Sequence, residues 1–289
     1  DSKGHGLGER FPVLFDLVGF TSSGRAHTAW RNFDENVPER AARLVHDGKM
    51  SPAIIVFPDC FTAFGGNQYV NSPAVGRYAD YLTRELVPFV DRELRTRAAR
   101  EHRGVFGKSS GGYGALIHAM KYPKYWGAAA SHSGDAGFET LYAPEWPATL
   151  DELASYREPP LAAGERDVRA AVKAAGYDGA DDGRIMRFLA RMWTKRQPST
   201  AEIHALTNVA MAATYDPDPK ALNGFRVPFH LETGERLPER WRRWLRHDPV
   251  NLVARYAANL RTLRGLFIDC GWGDQYPIHY GTRLLCLRL

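Results

Sequence analysis

The feature that most narrows what this chain can fold into is an alternation in its first half. Short apolar runs closed by glycine, proline or aspartate take turns with stretches of helical periodicity. "FPVLFDLVGF" (Phe11 to Phe20) reads as the first strand. "VPERAARLVHDGK" (Val37 to Lys49) reads as a helix, with Asn36 as its cap, Pro38 in its first turn and Gly48 as its stop. "AIIVFPD" (Ala53 to Asp59) is the next strand, followed by a Gly- and Asn-rich loop from Cys60 to Gly76. "RYADYLTRELVPFVDREL" (Arg77 to Leu94) is helical, with a kink expected at Pro88. Then come a short strand, "RGVFG", a helix, "GGYGALIHAMKYP", and a buried strand, "WGAAASHSG". Such a pattern predicts an α/β fold, a mostly parallel sheet with helices on both faces.

The alternation stops near Asp135. From there to His247 the chain is rich in Pro, Ala and charge, with helical pieces such as "DGRIMRFLARMWTK". That length is too great for a loop. Residues 1–134 and 248–289 are therefore read as the sheet-bearing core, and 135–247 as a helical insertion or lid. The sheet pattern resumes with "LRGLFIDCG", and "YPIHYGTRLLCLRL" starts a helix. Within the insertion, "RLPERWRRWLRH" has helical spacing, with Trp241 and Trp244 on an apolar seam and a solvated arginine face.

Composition removes several functions. The net charge is +5, but the arginines are scattered rather than gathered in a stripe, which argues against a nucleic-acid partner. No apolar run approaches the roughly 18 residues that a membrane span needs. Cys60, Cys270 and Cys286 form no CxxC pair and no metal-ligand spacing, so neither a metal site nor a disulfide scaffold is expected. The polar start, "DSKGHGLGER", does not read as a signal peptide, and the expectation is a cytoplasmic protein.

The chemistry lies in "GVFGKSSGGYGAL", Gly104 to Leu116. A phosphate-binding loop would need glycine at position 102, where the chain has His102. The pattern G-x-S-x-G fits Gly107-Lys108-Ser109-Ser110-Gly111 without a mismatch, between a strand and an apolar helix. That setting exposes a serine on a sharp turn and aims free helix N–H groups at the reacting centre. The bland alternative is a structural glycine turn carrying an incidental serine. A nucleophilic serine needs a base, and the base an acid. In hydrolases of this kind the chain order is serine, acid, histidine. "LFIDCGWGDQY" offers Asp269, inside the apolar run, and Asp274, in the loop beyond it; Asp274 is preferred as the acid.

In order along the chain, "VGFTSSGRAHTAW", "IVFPDCFTAFGGNQYVNSP", "YLTRELVPFVD", "GKSSGGYGAL", "AASHSGD" and "FIDCGWGDQY" resemble the esterase branch of the α/β-hydrolases. That group holds S-formylglutathione hydrolases, feruloyl esterases and mycolyltransferases. The resemblance implies an acyl-enzyme on Ser109, deacylated by water without cofactor or metal, and a small ester or thioester substrate. The alternatives are an acyltransferase and an inactive scaffold. It also implies an oxyanion hole from the N–H of Ser110 and one from Phe20 or Thr21, of which Phe20 is preferred.

The family places its histidine after a further strand, whereas here the chain stops at Leu289, fifteen residues past Asp274. The reading therefore expects a truncated product, and takes His279 as the substitute base over His132 and His118, with a structural role as the alternative for each. Asp59 and Tyr69, flanking the Gly-rich loop, are candidate pocket residues or simple turn chemistry. Trp146, Met192 and Trp193 are read as lid or as the insertion's own core.

Overall fold

The computed structural model describes residues 8–157 and 180–289. Its centre is a five-stranded sheet, all parallel, in the order β2-β1-β5-β6-β7. The strands are β1 (Val13–Leu17), β2 (Ile54–Val56), β5 (Arg103–Lys108), β6 (Ala128–His132) and β7 (Gly265–Asp269). A two-stranded ribbon, β3 (Asn71–Ser72) and β4 (Gly76–Arg77), stands apart from it. β1 is shorter than its apolar run. Val18, Gly19 and Phe20 leave the sheet, and the ideal Cβ direction of Gly19 points to within 3.4 Å of the Ser109 Cβ.

Helix α1 (Val37–His46) is closed by a reciprocal capping box between Asn36 and Glu39. The next helical stretch is composite: α2 (Tyr78–Asp80), a π-helical turn (Tyr81–Leu86) and α3 (Val87–Glu93). Pro88 has no N–H for the carbonyl four residues back, and the turn ahead of it is wider than an α-turn. Helix α4 (Ser110–Lys121) is buried from Ser110 to Met120 and packs on β5 and β6.

The described part of the segment between β6 and β7 is helical; residues 158–179 of the insertion lie outside the described residues. It comprises α5 (Phe138–Leu141), α6 (Trp146–Ala154), α7 (Arg184–Met192), α8 (Thr200–Tyr215) and α9 (Pro238–Leu245). Its apolar residues join the same hydrophobic core as the sheet. Ser72 donates to the Ala213 carbonyl (2.6 Å), and Trp146 meets Trp241 edge-on at 4.9 Å. Trp193 differs: it is half exposed and donates from its indole to the Ala63 carbonyl (2.9 Å), bridging to the loop after β2.

The arginine face of α9 is not simply solvated. Arg240 and Arg243 converge on Asp216, a fully buried carboxylate just past α8, at 3.3 and 2.9 Å. A carboxylate out of water needs such partners. Helix α10 (Pro249–Leu260) returns the chain along α4 to β7, and α11 (Ile278–Arg288) follows.

Candidate active site

Ser109 joins β5 to α4 with φ 56° and ψ −123°, a conformation that costs a non-glycine residue about 1–3 kcal/mol. The reason lies in the two motif glycines. A Cβ on Gly107 would fall 2.3 Å from the Leu17 carbonyl oxygen, and one on Gly111 1.8 Å from the same atom. The chain can pass this close to the end of β1 only without side chains there, and the turn is forced tight. The Ser109 N–H donates to the His132 carbonyl (3.0 Å), and its own carbonyl accepts from Tyr113 (2.9 Å), opening α4.

The Ser110 N–H lies in the first turn of α4, where backbone donors have no intrahelical acceptor. On the facing loop, the Thr21 N–H donates to the Gly65 carbonyl (2.8 Å) and is spent. That leaves Phe20 as the loop's candidate oxyanion donor, with its ring laid against Gly65 and Gly66.

The Ser109 hydroxyl points to a residue that sequence reasoning did not single out. Its Oγ donates to Oδ1 of Asp135 at 3.5 Å. Asp135 is buried just after β6, and its Oδ2 accepts from the Tyr142 hydroxyl (2.8 Å) and the Gln68 amide (3.2 Å). The same Gln68 nitrogen donates to Ser110 Oγ at 2.7 Å. Burial pushes the Asp135 carboxyl up to about 6, with Asp274's charge adding to the rise, against the lowering hydrogen bonds from Tyr142, Gln68 and Ser109. Burial likewise raises Tyr142 well above the ordinary phenol range, and the proton stays on the tyrosine. Asp135 lies just past the C-terminal end of β6, on the edge of the sheet where ligands of open α/β folds bind. Gln68, inside a glycine-rich loop, carries no signal at all.

Of the residues expected to act, Asp274 lies in the β7–α11 turn. Its Oδ1 accepts from the Tyr276 and Ile278 N–H groups (2.9 and 3.4 Å), and its charge reaches Asp135. His279 opens α11; its ring stacks on Tyr280, and its buried Nδ1 has no hydrogen-bond partner. Asp269 is engaged elsewhere, accepting from His132 Nδ1 at 2.8 Å. His118 is core: Nε2 meets the Tyr69 carbonyl, Nδ1 accepts from Trp126, and burial lowers it to about 4.

Tyr69 is not a pocket residue. It is buried, and its hydroxyl donates to the Val18 carbonyl (2.6 Å), so it props the loop after β1 instead. Its ring can enter there because Gly114 has no Cβ to meet it. Asp59 is exposed and lines a hollow of about 380 Å³ with Arg77, Tyr78 and Glu85, to which Ser109 does not contribute. Among the described residues no cluster of three or more His, Cys, Asp or Glu is arranged to hold a metal ion.

A serine on a strained strand-to-helix turn, at the C-terminal edge of a parallel sheet, is the arrangement of the α/β-hydrolase fold. The chain belongs to the family described as "Putative esterase", whose model matches residues 3–276. Among curated proteins it is similar to Esterase Rv1288 of Mycobacterium tuberculosis, 35% identical over 130 residues, 45% of this chain and 26% of that protein. It is also similar to an endo-1,4-beta-xylanase/feruloyl esterase of Xylanibacter ruminicola, 28% identical over 134 residues, 42% of this chain and 17% of that one. The match thus spans about a quarter or less of these relatives. Among solved structures, the Staphylococcus aureus fluorophosphonate-binding serine hydrolase FphF aligns with 100% of this chain and 86% of its own. The TM-score is 0.40 and the identity 14%. Enterochelin esterase of Shigella flexneri aligns with 45% of this chain and 30% of its own, at TM-score 0.35 and 22% identity.

Proposed function

We propose that this chain hydrolyses carboxylic esters or thioesters through an acyl-enzyme on Ser109. One observation carries the reading: Ser109 is held in a strained turn between β5 and α4 by glycines that the Leu17 carbonyl makes obligatory. Membership of the esterase family supports it. In this reading Ser109 Oγ attacks the acyl carbonyl, whose oxygen gains charge. The N–H groups of Ser110 and Phe20 stabilise that charge at no reorganisation cost, because the helix start and the loop already hold them. The base takes the Ser109 proton and gives it to the departing alkoxide or thiolate; water, losing its proton to the same base, then attacks the acyl-enzyme, and the proton returns to Ser109 Oγ as the acid leaves. Asp274 and His279 are taken as acid and base on their order in the chain after Ser109; the buried His279 Nδ1 makes no hydrogen bond, and Asp274 Oδ1 accepts from the Tyr276 and Ile278 N–H groups.

The test is covalent labelling with a fluorophosphonate alongside hydrolysis of a short-chain p-nitrophenyl ester. Wild type is expected to label and turn over, Ser109→Ala to do neither, and His279→Ala to lose at least about a hundredfold in rate. A folded wild type that neither labels nor turns over would refute the reading. A His279→Ala variant at full rate would remove His279 as the base and leave Ser109 standing.

A further inference from the structure

We propose that Asp135 is a positioning residue for the nucleophile: its carboxylate, pinned by Tyr142 and Gln68, sets the direction of Ser109 Oγ. The inference rests on the reading of Ser109 as the nucleophile and adds a residue to it. Two donors on Oδ2 fix the carboxylate in its plane and leave Oδ1 for the Ser109 hydroxyl. Gln68 ties the same group to Ser110 Oγ, so both serines of the elbow answer to one network.

The setting is unusual for a carboxylate. It is buried, and no lysine, arginine or histidine among the described residues forms an ion pair with it. The groups that bear on it are the phenols of Tyr113 (α4), Tyr142 (after α5) and Tyr215 (α8), and the Asp274 carboxylate. Next to them Asp248, in front of α10, bears on Tyr113. A buried charge without a cation is expensive and needs a compensating use.

The protonation state decides what Oδ1 does. Ionised, it accepts the serine hydrogen and holds Oγ in one rotamer; the hydrogen turns to the base as attack begins. Protonated, Asp135 becomes a donor to Oγ and occupies the lone pair that attack requires. With its carboxyl up at about 6, that change falls in the neutral-to-mildly acidic range.

The experiment follows the rate of fluorophosphonate labelling of wild type, Asp135→Asn and Tyr142→Phe between about pH 8 and pH 5. In wild type both Asp135 and the base must be deprotonated, so the logarithm of the rate falls by about two per pH unit at the acid end. Asp135→Asn is expected to label roughly tenfold more slowly at the alkaline end, with a slope of about one. Tyr142→Phe removes a bond that favours the ionised form, so its break moves to higher pH. An unchanged slope in Asp135→Asn, or an unmoved break in Tyr142→Phe, overturns the proposal.

A wild type that does not label sinks the Ser109 reading instead. The Asp135–Ser109 bond on which the proposal stands is tested independently of labelling, by infrared titration of the Asp135 carboxyl in wild type and Ser109→Ala. The hydroxyl lowers that titration, so its loss must raise it. Identical titrations overturn the proposal, because the two groups are then not bonded.

Discussion

Gly111→Ala probes the elbow directly, because its backbone is helical and the added methyl meets only main chain. The new Cβ would lie 1.8 Å from the Leu17 oxygen, 2.5 Å from the Leu17 carbonyl carbon and 2.9 Å from the Val18 oxygen. None of these atoms can rotate away. Ordinary contact begins at 3.4 Å, so α4 and the end of β1 must separate by about 1.5 Å. Overpacking against fixed backbone on that scale costs about 3 kcal/mol. A shift of this size between Ser109 and the loop after β1 that carries Phe20 is expected to lower the labelling rate by about a hundredfold. Urea unfolding gives the stability, read as a change in midpoint at constant slope. Fluorophosphonate labelling gives the rate. Gly265→Ala is the control, since no atom lies within 4 Å of its added Cβ. If Gly111→Ala matches Gly265→Ala in both midpoint and labelling, the close approach of β1 to the elbow is not what shapes it.

Ser109→Gly is expected to raise stability by about 1 kcal/mol while abolishing labelling, because glycine adopts the positive φ freely; a lower unfolding midpoint would contradict the strain. Replacing Arg240 and Arg243 together by alanine strands the Asp216 carboxylate and is expected to destabilise by about 3–5 kcal/mol in denaturant unfolding; a loss below about 1 kcal/mol would mean that water already reaches Asp216. His118, lowered to about 4 when folded, takes up its proton only on unfolding between its ordinary 6.5 and that value. Its contribution therefore favours folding above pH 6.5 and is lost as the pH falls toward 4. The stability difference between wild type and His118→Gln should shrink by up to about 1.4 kcal/mol per pH unit in that window, and a constant difference would show that His118 ionises in the folded protein.

Much of the architecture was legible because it rests on local chemistry. The spacing of apolar residues marks β1, β2, β5, β6 and β7, and Asn36 with Glu39 marks the start of α1. G-x-S-x-G between a strand and an apolar helix marks Ser109, since only glycine survives where backbone meets backbone. Helix ends followed the same logic, with Gly48 just past α1 and Pro88 beside the widened π-helical turn.

The rest depended on segments that meet only in the folded chain. Gln68 and Tyr142 come from opposite sides of the elbow in sequence, yet share one oxygen of Asp135. Tyr69 reads as a loop aromatic and becomes a buried prop, because Gly114, forty-five residues later, leaves room for its ring. The arginines of α9 read as a solvated face until Asp216 arrives beneath them. Sequence by itself determined the strands, the elbow and the serine at its tip, since periodicity and backbone sterics act between near neighbours. Tertiary structure alone decided that the Asp135 carboxyl faces Ser109 and that burial raises it, because burial and hydrogen bonding are properties of the whole assembled core.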